Sequence, residues 1–461
     1  MRQVAGPLEE IVGAENVLTE AEDLFCYAYD STHVEFMPDV VVRPGSADEV
    51  ARIVRLANEL EVPVVPRGSG TGLSGGSVPI EGGIVMDLTR LNRILEVNVS
   101  DLYAVVEPGT ITLDFANKVE AEGLLYPPDP GSNSASTLGG NVAENAGGLR
   151  GLKYGVTKDY VMGLEVVSPT GELFNTGSKT VKCVTGFDLT RLIVGSEGTL
   201  GVVTKIILKL VPKPEFAQAM QAIFDEVGKA ASAVSAIIRA GIVPATLEIL
   251  DNVTINAIED YKPAGLPRDA AAVLLIEADG AKEAVQRQVA QIDEICRREG
   301  ARKIDVARDE AEKAKVWAGR RAALAALARV KPTTILEDAT VPRSKIPEMV
   351  AAINSIAKEY NLTVGTFGHA GDGNLHPTFL VDERDKDEMA RVEKATYELF
   401  RIGLSLGGTL SGEHGIGITK AKFLHWELGK NGVEVMKRIK RALDPKNILN
   451  PGKMELGGGR K

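Results

Sequence analysis

The sequence predicts an α+β protein of more than one domain. Three observations carry that reading. The chain has 461 residues, more than one hydrophobic core usually organises. Its first half alternates short β-rich runs with glycine loops, and its second half alternates long helical segments with a few β-like runs. Between the halves, Pro212 and Pro214 interrupt both patterns, because proline fixes its own φ and restricts the residue before it.

Taken in order, the first half predicts strands at 40–42, 62–65, 84–88, 104–107, 163–167 and 201–210. Between the first two, Val50, Ile53, Val54, Ala57 and Leu60 recur at helical spacing. Asp48 sits at the start of that helix, where a carboxylate suits the dipole. The second half predicts helices at 281–299, 308–330, 347–360 and 387–406, with β-like runs at 272–276 and 363–367. Met389, Val392, Thr396, Leu399, Gly403 and Leu406 form one stripe of the last helix, and Gly407-Gly408 supplies its stop. Long helices among few strands predict helices on one face of a sheet. The expected domains are 1–212, 213–420 and a C-terminal segment 421–461. No short-period repeat is present, and no low-complexity segment beyond Gly457-Gly458-Gly459.

Composition excludes several functions. The net charge is −10, whereas a nucleic-acid binder presents a basic face. Lys437, Arg438, Lys440, Arg441 and Lys446 form the one basic stretch, read as a solvated helix face rather than a docking patch. Cys26, Cys183 and Cys296 are odd in number and lack CxxC spacing, which argues against a disulfide framework, a thiolate metal cluster and an iron–sulfur cluster. Glu9 and Glu10 stand where a signal peptide needs an apolar run. No apolar stretch reaches the length of a membrane span. These features predict a cytoplasmic protein, at most peripheral to a membrane through a partner.

Glycine, at 48 residues, is abundant and clustered. The segment 66–76, PRGSGTGLSGG, holds a literal GxGxxG from Gly70 to Gly75. A dinucleotide fold needs a helix opening directly from that loop. Here Pro79, Gly82 and Gly83 follow, and then another strand, so the Rossmann reading fails on context. A glycine- and hydroxyl-rich loop between strands still suits a pyrophosphate, since successive N–H groups form an anion-binding concavity. PPDPGS at 127–132, TLGGNVAENAGG at 137–148 and GSEGTLG at 195–201 gather more small, hydrogen-bonding residues in loops.

In order and spacing, these segments, with KYGVTKDYV at 153–161 and GFDLTRLIVGSEGTLG at 186–201, resemble the FAD-binding domain of the vanillyl-alcohol-oxidase-like flavoproteins. Within that superfamily the chain is similar to the glycolate oxidase flavin subunit and the D-lactate and D-2-hydroxyglutarate dehydrogenases. The resemblance spans nearly the whole chain. It implies a two-part FAD-binding domain, a substrate or cap domain with an antiparallel sheet covered by helices, and a C-terminal segment that returns to the FAD domain. The flavin contacts it implies are Arg67, Gly68, Ser69, Gly70, Thr71, Gly72 and Leu73; Pro130, Gly131 and Ser132; Thr137, Gly140, Asn141, Asn145, Gly147, Gly148 and Tyr154; Glu197, Gly198 and Val203; and Asn450 in the tail. Some relatives attach flavin through a histidine in the first loop. Thr71 stands there, and no histidine lies between Val34 and Gly368, so FAD is expected to be non-covalent.

Five histidines occur, three of them in two short motifs. GHAGDGNLH at 368–376 centres on Asp372-Gly373, a favoured two-residue hairpin turn, which would place His369 opposite His376. SGEHGIG at 411–417 frames Glu413-His414 with glycines. Two imidazoles and a carboxylate suit a mononuclear divalent site; His33 and His425 lack such surroundings and read as structural. The resemblance implies that His369, His376 and Glu413 hold one divalent metal (Zn, Fe or Mn), that His414 is the general base and that Asn374 touches substrate. It further implies that Arg320, in WAGR at 317–320, binds the substrate carboxylate, with Arg321 its nearest confusion. Relatives acting on dicarboxylates carry a lysine upstream of a DxxxP-like segment; that stretch reads ILEDATVP at 335–342 here, with no lysine, which implies a small monocarboxylate rather than 2-hydroxyglutarate. The implied activity is oxidation of a small D-2-hydroxy acid, D-lactate or glycolate, to the 2-oxo acid, by proton abstraction from the 2-hydroxyl and hydride transfer to flavin N5. The implied acceptor is an electron-transferring flavoprotein, an iron–sulfur subunit, a cytochrome or a quinone-linked chain. Two alternatives remain open: a non-catalytic electron-relay subunit, and a flavin transferase of the alkylglycerone-phosphate synthase type.

Overall fold

The computed structural model describes residues 2–32 and 34–457; His33, Gly458 and Gly459 lie outside them. Two compact units result. The first comprises Met1–Gly147, Val156–Lys213 and Glu413–Lys461, the second Gly148–Gly155 and Pro214–Gly412.

The first unit holds two principal sheets. In one, Val64–Arg67 and Val40–Val42 run parallel to Ile84–Asp87 on either side, and Val17–Leu18 adds an antiparallel edge. The helix Ala47–Leu60 joins the two outer strands and buries Val50, Ile53, Val54 and Ala57, as the apolar spacing predicts, whereas Leu60, last in that series, is exposed at the helix end. Its N-cap is Ser46, whose side chain accepts from the Glu49 N–H at 3.2 Å. The second sheet is antiparallel, in the order Ile94–Asn98, Tyr103–Val106, Val202–Lys209, Val161–Val167, Leu173–Gly177. Parallel strands normally need a helical crossover. Between Val64–Arg67 and Ile84–Asp87 the link contains no helix, so the glycine loop keeps its N–H groups outside regular structure.

The tail belongs to this unit. Ile448 and Leu449 are buried in its core, and the backbone of Val64 exchanges hydrogen bonds with Ile448 and Asn450 at 2.7 and 2.8 Å. One basic residue departs from the expected solvated face. Lys440 is buried, donating to the carbonyls of Thr199 (2.8 Å) and Leu449 (2.7 Å) and pairing with Asp444. A buried ammonium persists only where its donors are all met, and these three acceptors meet them. Arg438, Arg441 and Lys446 are exposed as expected.

The second unit is built on an eight-stranded sheet, ordered Lys303–Val306, Phe216–Phe224, Ala272–Gly280, Thr246–Asp251, Thr363–His369, Asn374–Val381, Thr333–Leu336, with Ala339–Thr340 also paired to Asn374–Val381. Every pairing is antiparallel. Helices cover both faces, not one. Val227–Arg239, Lys282–Arg298, Ile346–Glu359 and Lys386–Ser405 pack on the face of Leu274 and Ile276. Asn252–Tyr261 and Glu310–Leu327 pack on the face of Val273 and Leu275. The reason lies in the central strands: Ala272–Gly280 is apolar on both sides, so one covered face would leave the other in water.

The unit boundaries follow side-chain commitments. Ser411 and Gly412 both donate to the buried Asp338, at 2.7 and 2.8 Å, which places the second crossing at 412/413 where 420/421 is expected. Gly148–Gly155 joins the second unit because Leu152 enters its core and Tyr154 donates to Asp279 at 2.6 Å.

Candidate active site

The second unit brings its polar residues together on the face covered by only two helices. The hairpin after Thr363–His369 is wider than the sequence predicts. His369 pairs with Asn374 and Phe367 with His376, so four residues, 370–373, make the turn and His376 lies diagonally from His369. The register differs from the expected one by two residues. Because side chains alternate with period two, that shift keeps both imidazoles on one face, with ring centroids 5.1 Å apart.

Glu248, in the neighbouring strand Thr246–Asp251, organises this face. It is fully buried. His369 Nδ1 lies 2.7 Å from its Oε1, and Arg320 Nε lies 2.6 Å from its Oε2. Burial alone pushes the Glu248 carboxyl up, but His369 and Arg320 together hold it below the usual carboxylate range. A neutral His369 that donates its Nδ1–H to this carboxylate carries its lone pair on Nε2, the arrangement that carboxylates impose on metal-ligating histidines. Arg320 projects from the helix Glu310–Leu327 and lies over the Phe367 ring at 4.7 Å, a cation–π contact worth up to about 2 kcal/mol when desolvated. With Nε taken by Glu248, the terminal nitrogens make no side-chain hydrogen bond among the described residues. Asn374 is buried, and its Oδ1 accepts from Thr340 at 3.0 Å. Its Nδ2 lies beside Gly412, where a Cβ would come within 2.7 Å of it. Arg320, Asn374, His369 and His376 thus share one face. The sequence does not point to Glu248, since one acidic residue in a strand carries no spacing signal.

In the first unit, Arg67 ends its strand buried, donates to Ser77 at 3.2 Å and lies over the Tyr27 ring. Gly68–Leu73 follow it in irregular backbone, with Gly70 at φ +72°. Pro130, Gly131 and Ser132 lie in a loop where a Cβ on Gly131 would meet nothing within 4 Å. Thr137 caps the helix Leu138–Glu144 by accepting from Gly140 N–H, and Asn145 closes it in left-handed backbone. Gly147 packs against the Glu413 side chain. Several expected flavin contacts also have partners or packing inside the protein. Asn141 donates to Thr112 at 2.7 Å. Val203 is a buried strand residue. Gly148 and Tyr154 lie in the second unit. Glu197 accepts from the N–H groups of Ile416 and Gly417 at 2.8 Å each, beside Gly198 at φ +68°. Asn450 donates to the carbonyls of Gly76 and Glu197 at 2.7 Å each. His414 Nε2 lies 3.7 Å from Glu413 Oε1.

Residues 38–177 match the family model "FAD binding domain", and residues 213–454 match "FAD linked oxidases, C-terminal domain". The chain belongs to the FAD-linked oxidase family. It is 53% identical to the glycolate oxidase subunit GlcD of Bacillus subtilis, over 100% of this chain and 98% of that protein. It is 40% identical to GlcD of Escherichia coli K12, over 97% and 89%, and 36% identical to a D-lactate dehydrogenase of Anaerostipes hadrus, over 92% of each. Among solved structures, p-cresol methylhydroxylase matches with a TM-score of 0.81 at 18% identity, over 98% of this chain and 96% of that one. An alkyldihydroxyacetonephosphate synthase matches at 0.77 and 20%, over 98% and 86%. These last two share the fold, and the family models mark its two parts as an FAD-binding domain and an FAD-linked oxidase C-terminal domain, here an α+β unit.

The residues of this family member's first unit fit a flavin. Asn450 Oδ1 is buried and accepts no hydrogen bond among the described residues, leaving an acceptor for an N–H or O–H group of a bound molecule. The loop 68–83 contains no helix or strand, so its N–H groups are not spent on regular structure, as a polar chain would require. The donor set of the second unit fits a divalent ion: two imidazoles on one face, one of them oriented by a buried carboxylate. Among the described residues, no helix is long and apolar enough to cross a membrane.

Proposed function

We propose that this protein is an FAD- and divalent-metal-dependent dehydrogenase that oxidises a small D-2-hydroxy acid, D-lactate or glycolate, to the 2-oxo acid and passes the electrons to a protein or quinone-linked acceptor. The observation that carries the proposal is Glu248, which ties the Arg320 cation and the His369 imidazole to one carboxylate. A 2-hydroxy acid needs such a pairing, with a cation for its carboxylate and a Lewis-acid site for its hydroxyl. FAD supplies the two-electron acceptor, and a metal held by His369, His376 and Glu413 supplies the Lewis acid that lowers a hydroxyl pKa. Arg320 pairs the substrate carboxylate and selects which face of C2 is presented. Asn374 orients the polar end of the substrate. His414, as the neutral imidazole, takes the hydroxyl proton at Nε2 or Nδ1. The absence of a lysine in the segment 335–342 favours a monocarboxylate. Relatives named as subunits support an acceptor protein as partner.

The test is anaerobic flavin bleaching by a panel of D- and L-2-hydroxy acids, with metal analysis of the same sample. Bleaching by D-lactate or glycolate with about one metal per chain is expected. A flavin that no 2-hydroxy acid reduces would leave the electron-relay reading standing. Bleaching by a thoroughly metal-free protein would remove the metal from the mechanism. His414→Asn is expected to abolish most of the rate and the acidic limb of the kcat/KM profile.

A further inference from the structure

Glu197 lies in a glycine loop that suits a flavin, yet both of its carboxylate oxygens are used inside the protein. It is buried, and Oε1 and Oε2 accept from Ile416 N–H and Gly417 N–H, each at 2.8 Å. Its backbone takes φ +52°, the left-handed region, between Gly195 at +78° and Gly198 at +68°. Non-glycine residues stay there only when their surroundings hold them. Here Asn450 Nδ2 donates to the Glu197 carbonyl at 2.7 Å, and Glu197 N–H donates to Ala143 at 2.9 Å. The receiving segment is equally constrained. Gly415 is at φ +85°, and a Cβ there would lie 2.0 Å from Glu144 Oε2 and 3.1 Å from Glu197 Oε1. The Ser74 carbonyl accepts from Ile418 N–H at 2.9 Å, while the Ser74 hydroxyl donates to Glu144 at 3.2 Å.

We propose that Glu197 is a positioning residue for His414: its two oxygens grip consecutive N–H groups of the glycine-framed turn directly after the base and thereby fix the imidazole. The inference rests on the reading of His414 as general base. A segment carrying Gly412, Gly415 and Gly417 has wide backbone freedom by composition, and a base must be held within hydrogen-bond reach of the proton it takes. Two donors need two acceptor oxygens. A glutamine has one, and its NH₂ would face an N–H.

The experiment compares the holoenzymes of Glu197→Gln, His414→Asn and the double variant with the wild type. For Glu197→Gln, kcat is expected to fall by about 10- to 100-fold, the range for a misplaced catalytic group, with FAD content and KM kept. The double variant is expected to be no slower than His414→Asn, because the two act as one unit. Loss of FAD from Glu197→Gln, or losses that multiply in the double variant, would overturn the positioning role while leaving the base assignment intact. An active His414→Asn would remove the base assignment and the inference with it. Should Glu197→Gln not fold, hydrogen exchange of the wild type decides. The Ile416 and Gly417 amides should exchange as slowly as those of Val202–Lys209, and exchange at the rate of open loops would overturn the proposal.

Discussion

Glu248 and His369, on adjacent strands, meet through a 2.7 Å contact between carboxylate and Nδ1 in a fully buried setting. That contact fixes which imidazole nitrogen faces outward. Replacing Glu248 by Gln keeps the shape but allows the amide to turn its NH₂ toward the ring. Metal affinity is expected to fall by about 10- to 100-fold, as for other carboxylates behind metal ligands, measured as metal retained after dialysis against a graded chelator. Glu248→Ala additionally strands the buried Arg320, a loss of about 3–5 kcal/mol in unfolding free energy. Unchanged metal retention in Glu248→Gln would show that this contact does not serve ligation.

Arg320 gives Nε to Glu248 and lies over Phe367, so a substrate carboxylate would meet the outer edge of the fork. Lysine has a charge but no fork and no planar group for the ring. Arg320→Lys is expected to lower kcat/KM for D-lactate on the order of 10²-fold through lost orientation, with FAD content unchanged. A kcat/KM within about twofold of wild type would move the carboxylate site elsewhere. Arg321→Lys, read alongside, should be near neutral.

How far the sequence reaches differs from element to element. The helix Ala47–Leu60 was readable because its apolar residues repeat at helical spacing. The missing helix after Gly75 was readable because Pro79, Gly82 and Gly83 forbid one. Phe216–Phe224 was not, since its alanines and glutamines show no β signature, although pairing on both edges makes it a strand. The face shared by His369 and His376 survives a register error of two residues and would have been lost by an error of one. Glu248 and Asp338 could not be found, because burial and partners are properties of strands brought together from distant sequence. Lys440 looked solvated because its charged neighbours are, and its acceptors come from Thr199 and Leu449.

The flavin is expected to leave on acid precipitation. The loop 68–76 contains glycine, serine, threonine and leucine, none of which offers an imidazole for attachment, and Thr71 stands where a histidyl link would need one. After trichloroacetic acid treatment the yellow chromophore should be in the supernatant with the spectrum of free FAD. Chromophore retained in the washed pellet would disprove non-covalent binding.

Asp251 sets a pH dependence of stability away from the candidate site. Its carboxylate caps the helix Asn252–Tyr261 by accepting from Thr254 N–H at 2.8 Å, and accepts from Thr366 N–H at 2.7 Å. Burial outweighs these donors and raises its pKa from 3.8 to about 6. The folded state therefore holds the proton to higher pH than the unfolded chain. The resulting contribution is fully present below about pH 4 and is lost as pH rises through 6. A shift of that size corresponds to about 3 kcal/mol. Asn at this position does not titrate, so the stability of wild type relative to Asp251→Asn should be about 2 kcal/mol more favourable at pH 4, where the unfolded chain is already partly ionised, than at pH 7. Urea unfolding of both proteins at the two pH values measures it. An equal difference at both would mean that the two N–H donors just offset burial. A difference of opposite sign would mean that they hold it ionised below the usual range.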